Sequence, residues 1–400
     1  MKSMHNLPFN LSDYDISPER GFLPEDPLKD LPNSPEINFV GEELPKLLVA
    51  RAVRRFIDEQ FQQSPVIPQT WQREHYKAAM RILSFASHAY VWEIPDRPAP
   101  ILPPQLAQSW FEVAQKLGRP PVLSYASYAL DNWRRLDPEK PIQLDNIVLL
   151  QNFLGGQDEE WFVVVHIQIE QQAGLALAGL LLAMRSAVED KEDEVLSGLQ
   201  SLATAQTAMR DTLIRMKERC DPYVYYTRVR PYIHGWKNSP ALPSGLVYQG
   251  VAAFNGTPQQ FRGETGAQSS IVPCLDAGLG IVHAPGLLTL YLQEMREYMP
   301  PRHRAFLEAL EQATDDLGRP VLLGYVRDRK HRHPALWAAY RICIELLAQF
   351  REIHIGYADS YIHRQHQSHT SNPTAVGTGG TPFMAYLQKH LDETRQVLVE

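Results

Sequence analysis

Only three cysteines occur in 400 residues, Cys220, Cys274 and Cys343, odd in number and far apart. That excludes a disulfide scaffold and reads as reduced thiols. Glycine is sparse at 23 residues, which excludes a collagen-like repeat. Long apolar runs are missing. The longest, over 173–184, has twelve residues, whereas a spanning helix needs about 20, so a buried helix segment is expected there. The first residues carry no apolar core of signal-peptide type, and a cytoplasmic location is the expectation. No single charge dominates either. Lys and Arg number 39 against 46 Asp and Glu, a net −7 that offers no basic footprint for nucleic acid and no polybasic membrane anchor. The chain also lacks a Gly-x-Ser-x-Gly elbow, a phosphate loop closing on Gly-Lys-Ser/Thr, and His-Glu-x-x-His.

What remains is 44% hydrophobic and 10% aromatic, a composition that favours collapse over disorder. One body of this size buries about three quarters of its unfolded surface, enough for a core with an internal cavity. No repeat of 20–50 residues is visible. The Pro- and Asn-rich stretch 1–45 reads as extended chain. Apolar spacing near 3.6 predicts helices over 47–62, 71–91, 104–116, 125–136, 159–188, 192–220, 223–234, 267–283, 286–298, 302–315, 334–363 and 382–399. Strand patterns are few. The fold class is therefore mainly α, with a smaller N-terminal part over 1–140 and a larger helical part over 141–400. Asp137-Pro138-Glu139-Lys140-Pro141 is the candidate boundary.

Several residues carry chemistry by type and spacing. His354 has Leu347, Phe350, Tyr357, Ala358 and Tyr361 at the positions that share its helix face. It is either a core histidine bonded to a backbone carbonyl or an axial metal or haem ligand. His166, inside an apolar run, poses the same choice, and the sequence permits the two rings to oppose each other across one cavity. Arg228 and Arg230 sit among tyrosines. Turned outward they decorate the surface; turned inward, a guanidinium among aromatics suits a carboxylate. Arg351, one turn before His354, reaches either a haem propionate or solvent, and Asp276 joins it or caps a network. Cys274 reads as a small buried hydrophobe. His363, His366 and His369 step by three in a polar stretch, as a solvated helix end or a zinc site. Gly377-Thr378-Gly379-Gly380-Thr381 follows no strand, so a lid or turn fits it better than a dinucleotide loop.

Six motifs taken together resemble the indoleamine 2,3-dioxygenase family. They are Tyr232-Ile233-His234-Gly235-Trp236-Lys237, Gly245-Leu246-Val247-Tyr248-Gln249-Gly250, Gly266-Ala267-Gln268-Ser269-Ser270, Asp276-x-x-Leu279-Gly280, Met299-Pro300-Pro301-x-His303-Arg304 and the 377–381 run. The resemblance implies an all-helical protein with a small N-terminal domain over a large domain that binds haem b. It also implies insertion of O₂ across the indole C2–C3 bond of L-tryptophan or a related indoleamine, giving N-formylkynurenine.

Carried over by position, the resemblance implies that His354 is the proximal iron ligand and that Arg351 and Asp276 support the propionate side. Arg230 falls on the substrate-carboxylate clamp. Tyr125, Phe162, Ile233, Glu264, Thr265 and Gly266 fall on the pocket wall, and Thr378 on the loop that closes over the substrate. His166 stands where mammalian members have Ser and where the sister family, tryptophan 2,3-dioxygenase, has a His that bonds the indole N–H. Tyr225 and Tyr226 stand where Phe is familiar, so a more polar distal pocket is expected, with His166 and Arg230 as the catalytic pair. Glu264 adds a carboxylate near the expected substrate ammonium. The expected partners are O₂ and an indole amino acid or indoleamine, with no nucleic acid or membrane, and a monomer is expected. Two other readings stay open: a haem monooxygenase or peroxygenase on another aromatic compound, and a haem sensor or carrier without turnover.

Overall fold

The computed structural model describes residue 7 and residues 10–61, 63–368 and 383–399. Among them the chain is mainly α. Its helices are α1 (Pro35–Val49), α2 (Val53–Gln60), α3 (Arg73–Trp92), α4 (Pro104–Leu117), α5 (Gln157–Val188), α6 (Glu192–Ile214), α7 (Pro222–Val224), α8 (Ile271–Leu279), α9 (Leu287–Arg296), α10 (Pro301–Glu311), α11 (Val321–Arg329), α12 (Pro334–Ala358), α13 (Arg364–Ser368) and α14 (Phe383–Gln396). Two minimal sheets complete the fold. Strand β1 (Ile101–Leu102) runs parallel to β4 (Val247–Tyr248), and β2 (Arg134–Arg135) runs antiparallel to β3 (Ile147–Val148). One contiguous cluster of buried apolar side chains extends from Leu7 to Val397.

The centre of that cluster is α5. Val163, Val165, Ile167, Ala173, Leu177, Leu180 and Ala183 are buried around its circumference, the pattern of a helix enclosed by protein on all sides. By length and composition α5 is apolar enough to cross a membrane, but most of its most apolar window is buried by the rest of the fold. Asp158, Glu159 and Glu160 fill its first turn, where acidic groups favour the helix dipole. Glu159 turns back to accept the backbone N–H groups of Phe153, Leu154 and Gly155 at 2.6, 3.1 and 2.8 Å. The α5–α6 hairpin packs at backbone contact. A Cβ on Gly179 would lie 2.8 Å from the Gly198 carbonyl oxygen, and one on Gly198 would lie 2.6 Å from the Ala183 nitrogen. Helix α12 then packs on α6, where Gln206 Nε2 donates to the Cys343 carbonyl at 3.1 Å.

The sequence-based elements need correction in five places. The stretch 1–45 is not all extended, because α1 begins at Pro35 and buries Ile37, Val40, Leu44 and Leu48 along one face, with Pro45 tolerated inside it. The helix expected over 47–62 is split at Arg51, whose φ of 52° leaves the helical region. The stretch 125–136 holds a single π-helical turn, Ala126–Leu130, followed by β2. There Asn132 donates to the Gln151 carbonyl at 2.9 Å, and the chain turns off its helical course. The helix expected from 267 starts at Ile271 and stops at Gly280, whose φ is 77°. Helix α11 was not legible, because Val321, Leu322, Leu323, Tyr325 and Val326 are all buried and show no polar face.

Candidate functional site

Helices α5, α6, α8, α9, α10, α12 and α14 line a cavity of about 600 Å³ with the segments 265–273 and 280–283. Apolar side chains, among them Ile169, Leu213, Leu292, Phe350 and Ile362, form much of its wall. Four imidazoles line it: His166 from α5, His354 from α12, His283 from the segment after α8 and His390 from α14. His354 is open to the cavity, and among the described residues no hydrogen bond acts on its ring. Its depth inside the protein, with His166 and Arg351 nearby, pushes it down to about 4, so the ring is neutral at physiological pH. The exposed part of His354 lines the cavity, while the protein packed around the ring desolvates it.

His166 Nδ1 donates to the Phe162 carbonyl, one turn back, at 2.7 Å. This hydrogen bond fixes the tautomer and leaves Nε2 as an acceptor. Burial lowers the affinity of the ring for a proton, and it too is neutral. Phe162 packs 4.7 Å from it and Tyr125 meets it edge-on at 6.2 Å, centroid to centroid. Tyr225 packs at a tilt against Phe162, with centroids 4.6 Å apart. The Tyr125 backbone N–H donates to Gln268 Oε1 at 2.9 Å, and Gln268 Nε2 donates to the Gly263 carbonyl at 2.9 Å. These bonds hold the 263–269 loop against the cavity.

At the other end Arg351 donates to Asp276 Oδ2 at 2.6 Å and to the Thr394 hydroxyl. Burial alone would raise the Asp276 carboxyl, but Arg351 and His283 beside it hold it below the usual range. His283 bridges Asp276 Oδ2 at 3.1 Å and Glu393 Oε2 at 2.6 Å. Burial opposes its protonation, yet these carboxylates raise it above the ordinary histidine value. His390 lies 4.4 Å from the His283 ring, centroid to centroid. Together these contacts fasten α14 over one end of the cavity.

Of the residues singled out in the sequence, Tyr125, His166, Thr265, Gly266, Asp276, Arg351 and His354 line this one cavity. Phe162 packs against His166, and Tyr225 packs against Phe162. Arg230, Tyr226, Ile233 and Glu264 are buried but are not in the cavity lining. The Arg230 guanidinium lies over the Tyr226 ring at 5.4 Å, and the Glu264 N–H donates to the Ile233 carbonyl at 3.0 Å. Burial pushes the Glu264 carboxyl up to about 8. Thr378, with the 377–381 run and His369, lies outside the described residues. His363 pairs with Asp359 at 3.1 Å and His366 with Tyr226 at 3.2 Å. No cluster of three or more His, Cys, Asp or Glu suited to a metal occurs among the described residues. Sequence reasoning did not single out Glu170, Ser269, His283 or His390. Glu170 carried a signal nonetheless, as a carboxylate one turn beyond His166 in an otherwise apolar helix face.

The family model described as "Indoleamine 2,3-dioxygenase" matches residues 10–397. Among curated proteins, the chain is 35% identical to "Indoleamine 2,3-dioxygenase 1" of Rattus norvegicus over 97% of its own length and 96% of the relative's. It is 31% identical to "Indoleamine 2,3-dioxygenase 2" of Homo sapiens, covering 98% of this chain and 96% of that one. It is also 31% identical to "Indoleamine 2,3-dioxygenase" of Saccharomyces cerevisiae, covering 98% and 94% respectively.

Proposed function

The chain belongs to the indoleamine 2,3-dioxygenase family, and from that membership we propose that it is a haem-dependent dioxygenase. The reaction inserts both atoms of O₂ across the indole C2–C3 bond of L-tryptophan, or of a related indoleamine, to give N-formylkynurenine. The observation that carries this reading is His354. A neutral imidazole that takes no hydrogen bond from the described residues, facing a largely apolar cavity of about 600 Å³, is a Lewis base whose lone pair is open to a ligand.

The residues fit a haem. His354 would hold the iron, and Arg351, braced by Asp276, would meet a propionate at the edge of the same cavity. The bound haem supplies the oxygen chemistry. The chain's own residues bind, orient and keep out water. Ile169, Leu213 and Phe350 give the site a wall that does not hydrogen-bond water. His166 offers Nε2 as an acceptor, suited to an indole N–H, because Nδ1–H is committed to the Phe162 carbonyl. Tyr125, Phe162 and Tyr225 set aromatic surfaces around that acceptor. In this reading Arg230 clamps the amino-acid carboxylate beside the cavity, and placing the indole in one orientation is its contribution to rate.

The experiment is a product assay. Haem-loaded, reduced protein is mixed anaerobically with L-tryptophan and then exposed to O₂. N-formylkynurenine supports the reading. A hydroxylated product would favour a monooxygenase, the alternative that the polar side chains His166, Tyr225 and Tyr226 suggest, and no product would leave a haem sensor or carrier.

A further inference from the structure

A carboxylate that takes no part in the reading above backs the cavity wall beside His166. Glu170 lies one turn beyond His166 on α5 and is wholly buried. No Arg, Lys or His among the described residues acts on its carboxylate. Ser269 Oγ donates to its Oε1 at 2.8 Å, and the Tyr125 hydroxyl interacts with the same group. Its Oε2 is buried and closes no hydrogen bond of good geometry. The far side is sealed by the N-terminal turn. A Cβ on Gly21 would fall 2.1 Å from the Glu170 carbonyl oxygen, and Gln171 Nε2 donates to the Glu19 carbonyl at 2.8 Å. The carboxylate is therefore left with two hydroxyls, and both Tyr125 and Ser269 line the cavity.

We propose that Glu170 is a positioning residue that decides whether Tyr125 and Ser269 turn oxygen lone pairs or O–H donors toward the bound substrate. With the carboxylate ionised, both hydroxyl protons point at it, and the two oxygens face the cavity as acceptors. With the carboxyl protonated, its one O–H donates to a hydroxyl, and that hydroxyl turns its own proton to the cavity. The first state suits a donor on the ligand, such as an ammonium or an indole N–H. The second suits a carboxylate or carbonyl.

Burial pushes Glu170 up to about 7, so both states are populated near neutrality. Tyr125 and, on α8, Cys274 face it, and burial holds both well above that range. His166 on the same helix stays neutral. Glu264, which acts on Tyr125 from the neighbouring loop, titrates higher, at about 8.

The identity of the ligand rests on the dioxygenase reading; the hydroxyl–carboxyl arrangement does not. The test uses haem-loaded protein. Infrared difference spectra follow the buried carboxyl C=O band across neutral pH, and the Soret shift gives the L-tryptophan Kd at each pH. The wild type is expected to lose a C=O band near neutrality, with a several-fold change in Kd over the same range. Glu170→Gln should remove both the band and the pH dependence with haem content unchanged. Glu170→Asp should restore a titration, Tyr125→Phe and Ser269→Ala should move the band, and Glu264→Gln should leave it in place. A Glu170→Gln protein that keeps the wild-type Kd profile overturns the proposal, as does a band indifferent to both hydroxyl variants. If L-tryptophan does not bind at all, the dioxygenase reading fails, while the response of the band to Tyr125→Phe and Ser269→Ala still decides the role of Glu170.

Discussion

At the scale of single residues, the site is built from groups that burial has stripped of charge. His354 at about 4, Glu170 at about 7 and Glu264 at about 8 are all moved toward their neutral forms by desolvation. The sign of the consequence differs between them. Between about 4.5 and 7 the folded protein holds a proton on Glu170 that the unfolded chain has released, so Glu170 costs stability as pH rises through that window. Glu170→Gln has no such cost. Its melting temperature should gain on the wild type from low to neutral pH, by on the order of 1–3 kcal/mol in stability; a constant difference would contradict the raised carboxyl. Arg230→Leu tests the proposed clamp. Losing a charge-assisted pair of about 1.5–3 kcal/mol should raise KM for L-tryptophan roughly tenfold to a hundredfold, and steady-state kinetics with an unchanged KM would remove Arg230 from that role. His354 and His166 were legible because one period of 3.6 puts each among apolar neighbours. His283 and His390 were not. Their roles arise where α14 folds back on the segment after α8, a contact between residues more than a hundred positions apart that no local pattern announces.

At the scale of elements, the cavity depends on two helix contacts. The first is α5 against α6, where Gly179 and Gly198 bring the backbones together. A Gly198→Val side chain has nowhere to go without parting the hairpin and should destabilise the protein by about 1–3 kcal/mol, read as a lower melting temperature. The second is α14 against α12 and the segment after α8, fastened by Thr394 to Arg351 of α12 and by Glu393 to His283 and Ala284. Glu393→Ala should speed hydrogen exchange in α14 while leaving α5 and α6 protected; uniform exchange rates would show that the contact is not what holds α14. Long helices with a clear apolar stripe, such as α3 and α4, were read from sequence to within two residues. Elements that break a rule were not. Helix α1 contains a proline and α11 has no polar face; the three π-helical turns, Ala126–Leu130, Tyr225–Val229 and Asp359–His363, lie inside stretches read as helical, but apolar spacing does not tell a π-turn from an α-turn. Side chains of the first two, Tyr128 and Tyr225, both lie near Phe162, and such turns often sit at functional sites.

At the scale of the whole molecule, a chain without disulfides or a metal cluster among its described residues closes a largely apolar hollow inside one continuous core. The mainly α class was readable from helical periodicity alone. The likeness to the family was readable from motifs that lie far apart in sequence, but their common destination was not, since only the fold brings His166, Asp276, Arg351 and His354 to one cavity. Neutral His354 is the feature around which that hollow is organised, and the most direct measurement is hemin titration of the purified protein followed by its Soret spectrum, wild type beside His354→Ala. The wild type should take up one haem per chain with an imidazole-ligated spectrum, and the variant should stay folded but fail to hold the haem. A His354→Ala protein that retains haem with the same Soret band would contradict the assignment on which the proposed oxygen chemistry rests.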